Sequence, residues 1–127
     1  MIKLVMCVRR QPQLSREAFD QYWIGTHAGL VRQHAATLRI VRYVQNPPLP
    51  RPEVQQALQS ARGTLPADFD GFGELWWACS LEELAALRQS PEGAAALPVL
   101  MDDERRFVDL SRSLLWYATE REIIPAS

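Results

Sequence analysis

The segment FDGFGELWWACSLEELAAL, residues 69–87, decides the fold because a buried strand turns directly into an amphipathic helix. An Asp-Gly turn comes first. The run from Phe72 to Cys79 is then apolar apart from one glutamate, which predicts a strand. Ser80 follows as a helix N-cap, with Glu83 at the capping-box spacing.

The rest of the chain completes a β-α-β-β-α-β order around this segment. Hydrophobic periodicity predicts the other elements: strands over Ile2–Val8, Thr37–Asn46 and Leu114–Ile124, and a first helix capped by Ser15. Pro91 and Pro98 predict that the second helix is followed by short helical pieces, to about Arg106. This order predicts the α+β, ferredoxin-like fold, in which two helices cover one face of a four-stranded antiparallel sheet.

The third strand carries large apolar groups on both of its faces. Strand side chains alternate between faces, so Phe72 and Trp76 point to one face and Leu75 and Trp77 point to the other. Helices cover only one face, so the other would be an exposed apolar patch of the kind that marks an interface. We therefore expect a homodimer in which two sheets pack face to face.

Composition sets the class of protein. The chain has 127 residues, 47% of them hydrophobic, 23% charged, and a formal net charge of -1. We expect one domain over residues 1–127, with a Pro-rich surface excursion at 47–65. No basic stripe supports a nucleic-acid partner, and no run approaches the ~20 apolar residues of a membrane span. Cys7 and Cys79 lie in apolar runs without a CxxC spacing, so we expect reduced thiols in a cytoplasmic protein.

His27 is the first candidate for chemistry. It lies on or beside the apolar stripe of the first helix, between Gly25 and Gly29, and we expect these glycines to thin the wall of a pocket. A histidine there is suited to general acid/base catalysis. The alternative is a core histidine whose nitrogens are satisfied by backbone carbonyls. His34 lies about 10 Å further along the helix, too far to share a metal with His27, and we expect no metal.

Glu74 is the second candidate, because it is the only charged residue in an otherwise apolar strand. Such a carboxylate is either paired with a cation or has a raised pKa. It either orients His27 or binds substrate, or it forms a salt bridge with an arginine such as Arg39 or Arg42.

Four further side chains complete the candidate site. We expect Tyr43 and Gln45 to share one strand face, where the Tyr43 hydroxyl can hold a ligand oxygen. We expect Trp23 and Trp76 to wall the pocket. The alternative is that these aromatic residues serve the core alone. No phosphate-binding loop, dinucleotide fingerprint or nucleophile motif is present, so we expect no cofactor.

The chain resembles the EthD family of the dimeric α/β-barrel superfamily over nearly its whole length. The resemblance is carried by Tyr22-Trp23 with Thr26-His27-Ala28, by Tyr43 to Asn46, by Asp70-Gly71 with Glu74-Leu75-Trp76, and by Asp103-Glu104, Arg106-Phe107 and Asp109. The match implies that the sheets of two protomers pack into a barrel. The chain departs from the family pattern at Gly29, where many members have proline.

The resemblance implies a function only in outline. We expect a cofactor-independent enzyme in which His27 performs acid/base chemistry, of an isomerisation, cyclisation or decarboxylation type. Its substrate would be a small hydrophobic aromatic, lactone or polyketide-like compound of a catabolic or secondary pathway. One alternative is a non-catalytic small-molecule-binding or accessory protein of a degradation pathway. Another is an oxidoreductase, as some relatives are described.

Overall fold

A computed structural model of the chain describes residues 1–127 and contains one four-stranded antiparallel sheet in the order β2-β3-β1-β4. The strands are β1 (Ile2–Val8), β2 (Ile40–Asn46), β3 (Gly71–Trp77) and β4 (Leu114–Thr119). The helices are α1 (Arg16–Tyr22), α2 (Ala28–His34), α3 (Pro52–Arg62), α4 (Leu81–Gln89) and α5 (Pro91–Phe107), with a π-helical turn at Trp23–His27 and a 3₁₀ turn at Leu110–Arg112. This topology confirms the predicted α+β, ferredoxin-like fold.

Both predicted N-caps are confirmed. The Ser15 hydroxyl accepts a hydrogen bond from the Ala18 amide at 3.0 Å, and the Ser80 hydroxyl accepts one from the Glu83 amide at 3.1 Å. These bonds satisfy amide groups that the first helical turn leaves without partners. Within the Pro-rich segment 47–65 lies α3, none of whose residues is buried.

The segment after α4 differs from the prediction, because α5 runs without a break from Pro91 to Phe107. Pro98 lies inside this helix and its side chain is exposed. A proline removes one helical hydrogen bond, but buried residues on both sides, Ala96 and Leu100, hold the helix against the core. None of the helices, α5 included, is long and apolar enough to cross a membrane.

Strand β2 begins later than predicted and contains a bulge. The residue before it, Arg39, has a φ of 55°, which is a turn conformation. The pairing of β2 with β3 slips at Val41. Ile40 therefore shares a face with Tyr43 and Gln45, whereas strict alternation predicts it on the opposite face.

The core lies between the helices and one face of the sheet, in two clusters. One consists of Met6, Val8, Phe19, Trp23, Phe107 and Val108. The other consists of Val31, Leu38, Ala96 and Leu100, with Tyr43 and Leu75 packed against it. Residues of β1, β2 and β3 supply the floor of these clusters, and the π-helical turn, α2 and α5 cover it.

The opposite face of the sheet, which we call the open face, carries no helix. Three of its apolar side chains are exposed: Phe72 by 40%, Leu114 by 52% and Trp116 by 46%. Trp76 also lies on this face but is buried, between the Arg42 guanidinium at 4.5 Å and the Lys3 ammonium at 5.1 Å from its rings. The sequence expectation of apolar groups on both faces is thus met.

Candidate active site

A cavity of about 540 Å³ lies between the helix-covered face of the sheet and α4 and α5. Its walls are almost entirely apolar, with side chains from all four strands. The ionisable groups on the wall are His27, Tyr43, Arg88, Glu104 and Tyr117. An apolar cavity with a few polar groups is the usual form of a small-molecule site.

The π-helical turn places His27 on this cavity. A π-turn inserts one residue into a helix and is frequent at functional sites. Here the Ala28 amide donates to the Trp23 carbonyl, five residues back. The Trp23 carbonyl also accepts a hydrogen bond from the Gln45 side chain at 2.8 Å, which ties the turn to β2.

His27 is oriented by a buried carboxylate from α5. Its Nδ1 lies 2.9 Å from Oδ2 of Asp103, and its ring packs on Phe107 at a centroid distance of 4.9 Å. When Nδ1–H donates to the carboxylate, Nε2 is left as the basic nitrogen. Nε2 has no hydrogen-bond partner in the protein. It is not one of the polar side-chain atoms that are sealed from solvent without a partner, which are Arg9 Nε and Trp76 Nε1. Nε2 therefore keeps contact with solvent, and the residue that carries it lies on the cavity wall.

Asp103 is only 3% exposed and has further partners besides His27. The Tyr22 hydroxyl donates to its Oδ1, and the Arg106 guanidinium lies 4.0 Å from the same oxygen. These contacts offset the cost of burying a carboxylate. Burial and the hydrogen bond to Asp103 raise the pKa of Tyr22, so its hydroxyl keeps its proton.

Glu104 follows Asp103 on α5 and lines the cavity, half-buried. Burial raises its pKa above the ordinary value, and the neighbouring Arg105 only partly opposes this. A carboxyl group with a raised pKa holds its proton more readily than a free glutamate does. The cavity wall thus carries two groups that can bind a proton, His27 and Glu104, of different chemical type.

Tyr43 and Gln45 share one face of β2, as predicted, and Tyr43 lines the cavity. The Gln45 amide donates to the Tyr43 hydroxyl oxygen at 2.9 Å. Since that oxygen already accepts a hydrogen bond, its own hydrogen is free to donate to a ligand. Burial raises the pKa of Tyr43, so the hydroxyl is a donor at neutral pH. Trp23 lines the same cavity and is 3% exposed.

Glu74 and Trp76 lie elsewhere, on the open face. Glu74 accepts hydrogen bonds from Lys3 at 2.7 Å and Asn46 at 3.1 Å. Burial raises its pKa, but these two donors and the nearby Arg42 outweigh burial, and the pKa is lowered overall. The structure therefore does not bring Glu74 to His27, and its salt bridge is with Lys3 rather than with an arginine.

The sequence analysis gave no site role to Asp103, which contacts His27, or to three groups on the cavity wall, Arg88, Glu104 and Tyr117. Residues 102–106 form a charged run that looks like a solvated helix face. Leu100 and Phe107 are apolar and buried, and Asp103 lies three residues after one and four before the other. That spacing marks Asp103 as inward-facing, but only if the helix is assumed to continue past Pro98.

The glycines also have different roles from those expected. Gly25 and Gly29 are exposed, and a Cβ at either position would meet nothing within 4 Å, so they do not thin a pocket wall. Gly71 is the position that requires glycine, because its φ is +142°. A Cβ there would lie 2.8 Å from the Asn46 carbonyl and 2.9 Å from the Trp23 ring. Gly71 thus makes room for the Trp23 indole on the sheet.

The fold and the buried His-Asp pair define a ferredoxin-like α+β protein with an apolar cavity. The EthD domain model matches residues 11–111, and the chain belongs to the EthD family. No curated protein matches the sequence.

Solved structures share the fold at low sequence identity. An ethyl tert-butyl ether D (EthD) family protein from Bacillus halodurans has a TM-score of 0.60 and 21% identity, covering 95% of this chain and 99% of that one. The protein At3g17210 of Arabidopsis thaliana has a TM-score of 0.56 and 10% identity, with coverage of 98% and 100%. HapK from Hahella chejuensis has a TM-score of 0.55 and 10% identity, with coverage of 100% and 98%.

Proposed function

We propose that this protein is a cofactor-independent enzyme that moves a proton on a small hydrophobic substrate, with His27 as the general base or acid. The observation that carries the proposal is the His27–Asp103 hydrogen bond on the wall of an apolar cavity. Asp103, rather than Glu74, takes the role of orienting His27. The carboxylate also stabilises the imidazolium that forms when Nε2 accepts a proton.

The remaining polar groups support the same chemistry. If Nε2 removes a proton from a carbon next to a carbonyl, negative charge develops on the carbonyl oxygen. The Tyr43 hydroxyl can stabilise that charge by donating a hydrogen bond. A proton returned at another carbon gives isomerisation, and Glu104 is a second group that can deliver it. The apolar walls suit aromatic, lactone or polyketide-like compounds, as met in a catabolic or secondary pathway.

Proton exchange tests this function without knowledge of the physiological substrate. A panel of aryl ketones and lactones is incubated in D₂O, and loss of the C–H signal next to the carbonyl is followed by proton NMR. We expect His27→Gln to lose the exchange that the wild type catalyses. The matched control is His34→Gln, because these are the only two histidines of the chain. Equal exchange by wild type and His27→Gln contradicts the proposal. Binding without any exchange favours a small-molecule-binding or accessory protein instead.

We also propose that the protein is a homodimer whose open faces pack together. The exposed Phe72, Leu114 and Trp116 side chains support this, since a patch of this kind costs free energy in water. We expect Leu114→Glu to shift the sedimentation coefficient from dimer to monomer at micromolar concentration. Leu58→Glu is the control, because Leu58 is 57% exposed on α3 and away from the sheet. A monomeric wild type contradicts the proposal.

A cytoplasmic location is the last part of the proposal. Its support is that both cysteines, Cys7 and Cys79, are free thiols, as is usual in a reducing compartment.

A further inference from the structure

Arg88 is the only lysine or arginine on the wall of the cavity. It lies in the last turn of α4 and is half-buried. No carboxylate of the chain forms an ion pair with it. Its guanidinium carbon lies 5.9 Å from the ring centroid of Tyr117. No Arg88 nitrogen is sealed from solvent without a partner. The guanidinium therefore has hydrogen-bond donors that no carboxylate of the chain uses, so this arrangement suits a site whose ligand supplies the anion.

Tyr117 and Tyr43 mark the two ends of one row of side chains across the sheet. The register pairs Tyr43 with Leu75, Leu75 with Leu4, and Leu4 with Tyr117, and all four line the cavity. Neighbouring strands lie about 4.8 Å apart, so the row extends for about 14 Å. The two leucines between the tyrosines form an apolar floor.

The two ends of this row differ in chemistry. Arg88 lies at the Tyr117 end. At the Tyr43 end are the Tyr43 hydroxyl and the Gln45 amide, which are hydrogen-bonded to each other. A ligand lying along the row therefore meets a cation at one end, apolar side chains in the middle, and hydrogen-bonding groups at the other end.

We propose that Arg88 anchors the carboxylate of an elongated apolar substrate whose uncharged end lies at Tyr43. The planar guanidinium matches a carboxylate through two parallel hydrogen bonds. The substrate class is thus an aryl or alkyl carboxylic acid of about 10–14 Å, a length set by the row. The identity of the reacting end rests on the proposed function, whereas binding of the carboxylate does not.

Calorimetric titration with 6-phenylhexanoate and 6-phenyl-1-hexanol tests the anchor, because the two probes differ only in the charged group. We expect the wild type to bind the carboxylate about tenfold more tightly or better, as a charge-assisted pair provides. Arg88→Met retains the alkyl stem but removes the charge, and we expect it to bind both probes equally. Arg88→Lys retains part of the preference, since it loses the two-bond geometry.

Arg62→Met is the matched control. Arg62 also lies in the last turn of a helix, α3, but it is exposed and not on the cavity. We expect it to keep the full preference for the carboxylate. The alcohol also reports on folding, because an intact cavity in Arg88→Met binds it within about threefold of the wild-type affinity, a change of under 1 kcal/mol.

Three results overturn the anchor: equal affinities for both probes in the wild type, a full preference in Arg88→Met, and no binding of either probe. His27→Gln separates this inference from the proposed function. We expect it to keep the preference for the carboxylate while losing proton exchange. If it exchanges protons like the wild type, the proposed function fails and the Arg88 anchor stands.

Discussion

Replacement of Asp103 by asparagine tests the central contact of the site. The introduced asparagine has nearly the same shape as the aspartate, and its amide oxygen can still accept the Tyr22 hydrogen bond. The variant loses the negative charge 2.9 Å from His27 Nδ1. The new amide nitrogen is a donor, so it favours the histidine tautomer that carries hydrogen on Nε2. Nε2, which then carries hydrogen, cannot act as a base.

The expected effect on activity is large and the effect on stability is small. A general base supplies about 10²–10⁴-fold in rate, and we expect Asp103→Asn to lower kcat by an amount in this range. Charge-assisted hydrogen bonds contribute about 1.5–3 kcal/mol. Loss of the charge also removes the cost of burying it, so we expect the free energy of unfolding to change by less than about 2 kcal/mol.

Two measurements check this reasoning. Nitrogen-15 NMR of the imidazole rings reports which nitrogen carries hydrogen, and His34→Gln assigns the two sets of signals. We expect hydrogen on Nδ1 of His27 in the wild type and on Nε2 in Asp103→Asn. Residues that act as a unit are non-additive, so Asp103→Asn should cost little further activity in a His27→Gln background. An unchanged tautomer, or an equal loss in both backgrounds, refutes the reasoning.

Two further pairs of substitutions test the packing and the charges. Gly71→Ala should lower the free energy of unfolding by about 2–4 kcal/mol, because the new Cβ meets backbone and the Trp23 ring. Gly29→Ala in α2 should raise the free energy of unfolding by up to about 1 kcal/mol. Equal effects of the two substitutions in thermal or urea unfolding contradict the conclusion that Gly71 is the position that requires glycine. Glu104 has a raised pKa, so its contribution to stability is complete below its ordinary value of 4.5 and is lost as pH rises through the folded-state pKa. Glu104→Gln should therefore be more stable than wild type at neutral pH. Glu74 has a lowered pKa, so its contribution is present above 4.5 and is lost as pH falls, and Glu74→Gln should be less stable than wild type at neutral pH. Urea unfolding from pH 3 to 8 should give differences of opposite sign, and the same sign for both variants contradicts the reasoning.

The fold was predictable because local signals agreed with one another. Ser15 and Ser80 cap the helices that were expected, and the apolar strand around Trp76 pairs on both sides. The errors occur where tertiary packing overrides a local rule. Pro98 is tolerated because its helix is held by buried neighbours, and Val41 bulges out of a strand whose sequence alternates regularly. Neither effect is visible without knowing what the segment packs against.

The candidate site was predictable only in part. Residue type and spacing singled out His27, Trp23 and Tyr43, which line one cavity, and Gln45, which is hydrogen-bonded to Tyr43 beside it. The Asp103 contact depends on α5 reaching the π-helical turn, which no local pattern specifies.

The position of Glu74, by contrast, follows from a single tertiary contact and the alternation of the strand. Trp23 comes from the helix that carries His27, and its indole lies over Gly71 and Gly73. Side chains two residues apart share a strand face, so those glycines fix the helix-covered face as the odd-numbered one. Glu74 must then point to the open face, with Lys3. Once large aromatic residues on a helix are matched to glycines on a strand, alternation alone decides which carboxylate can reach the histidine.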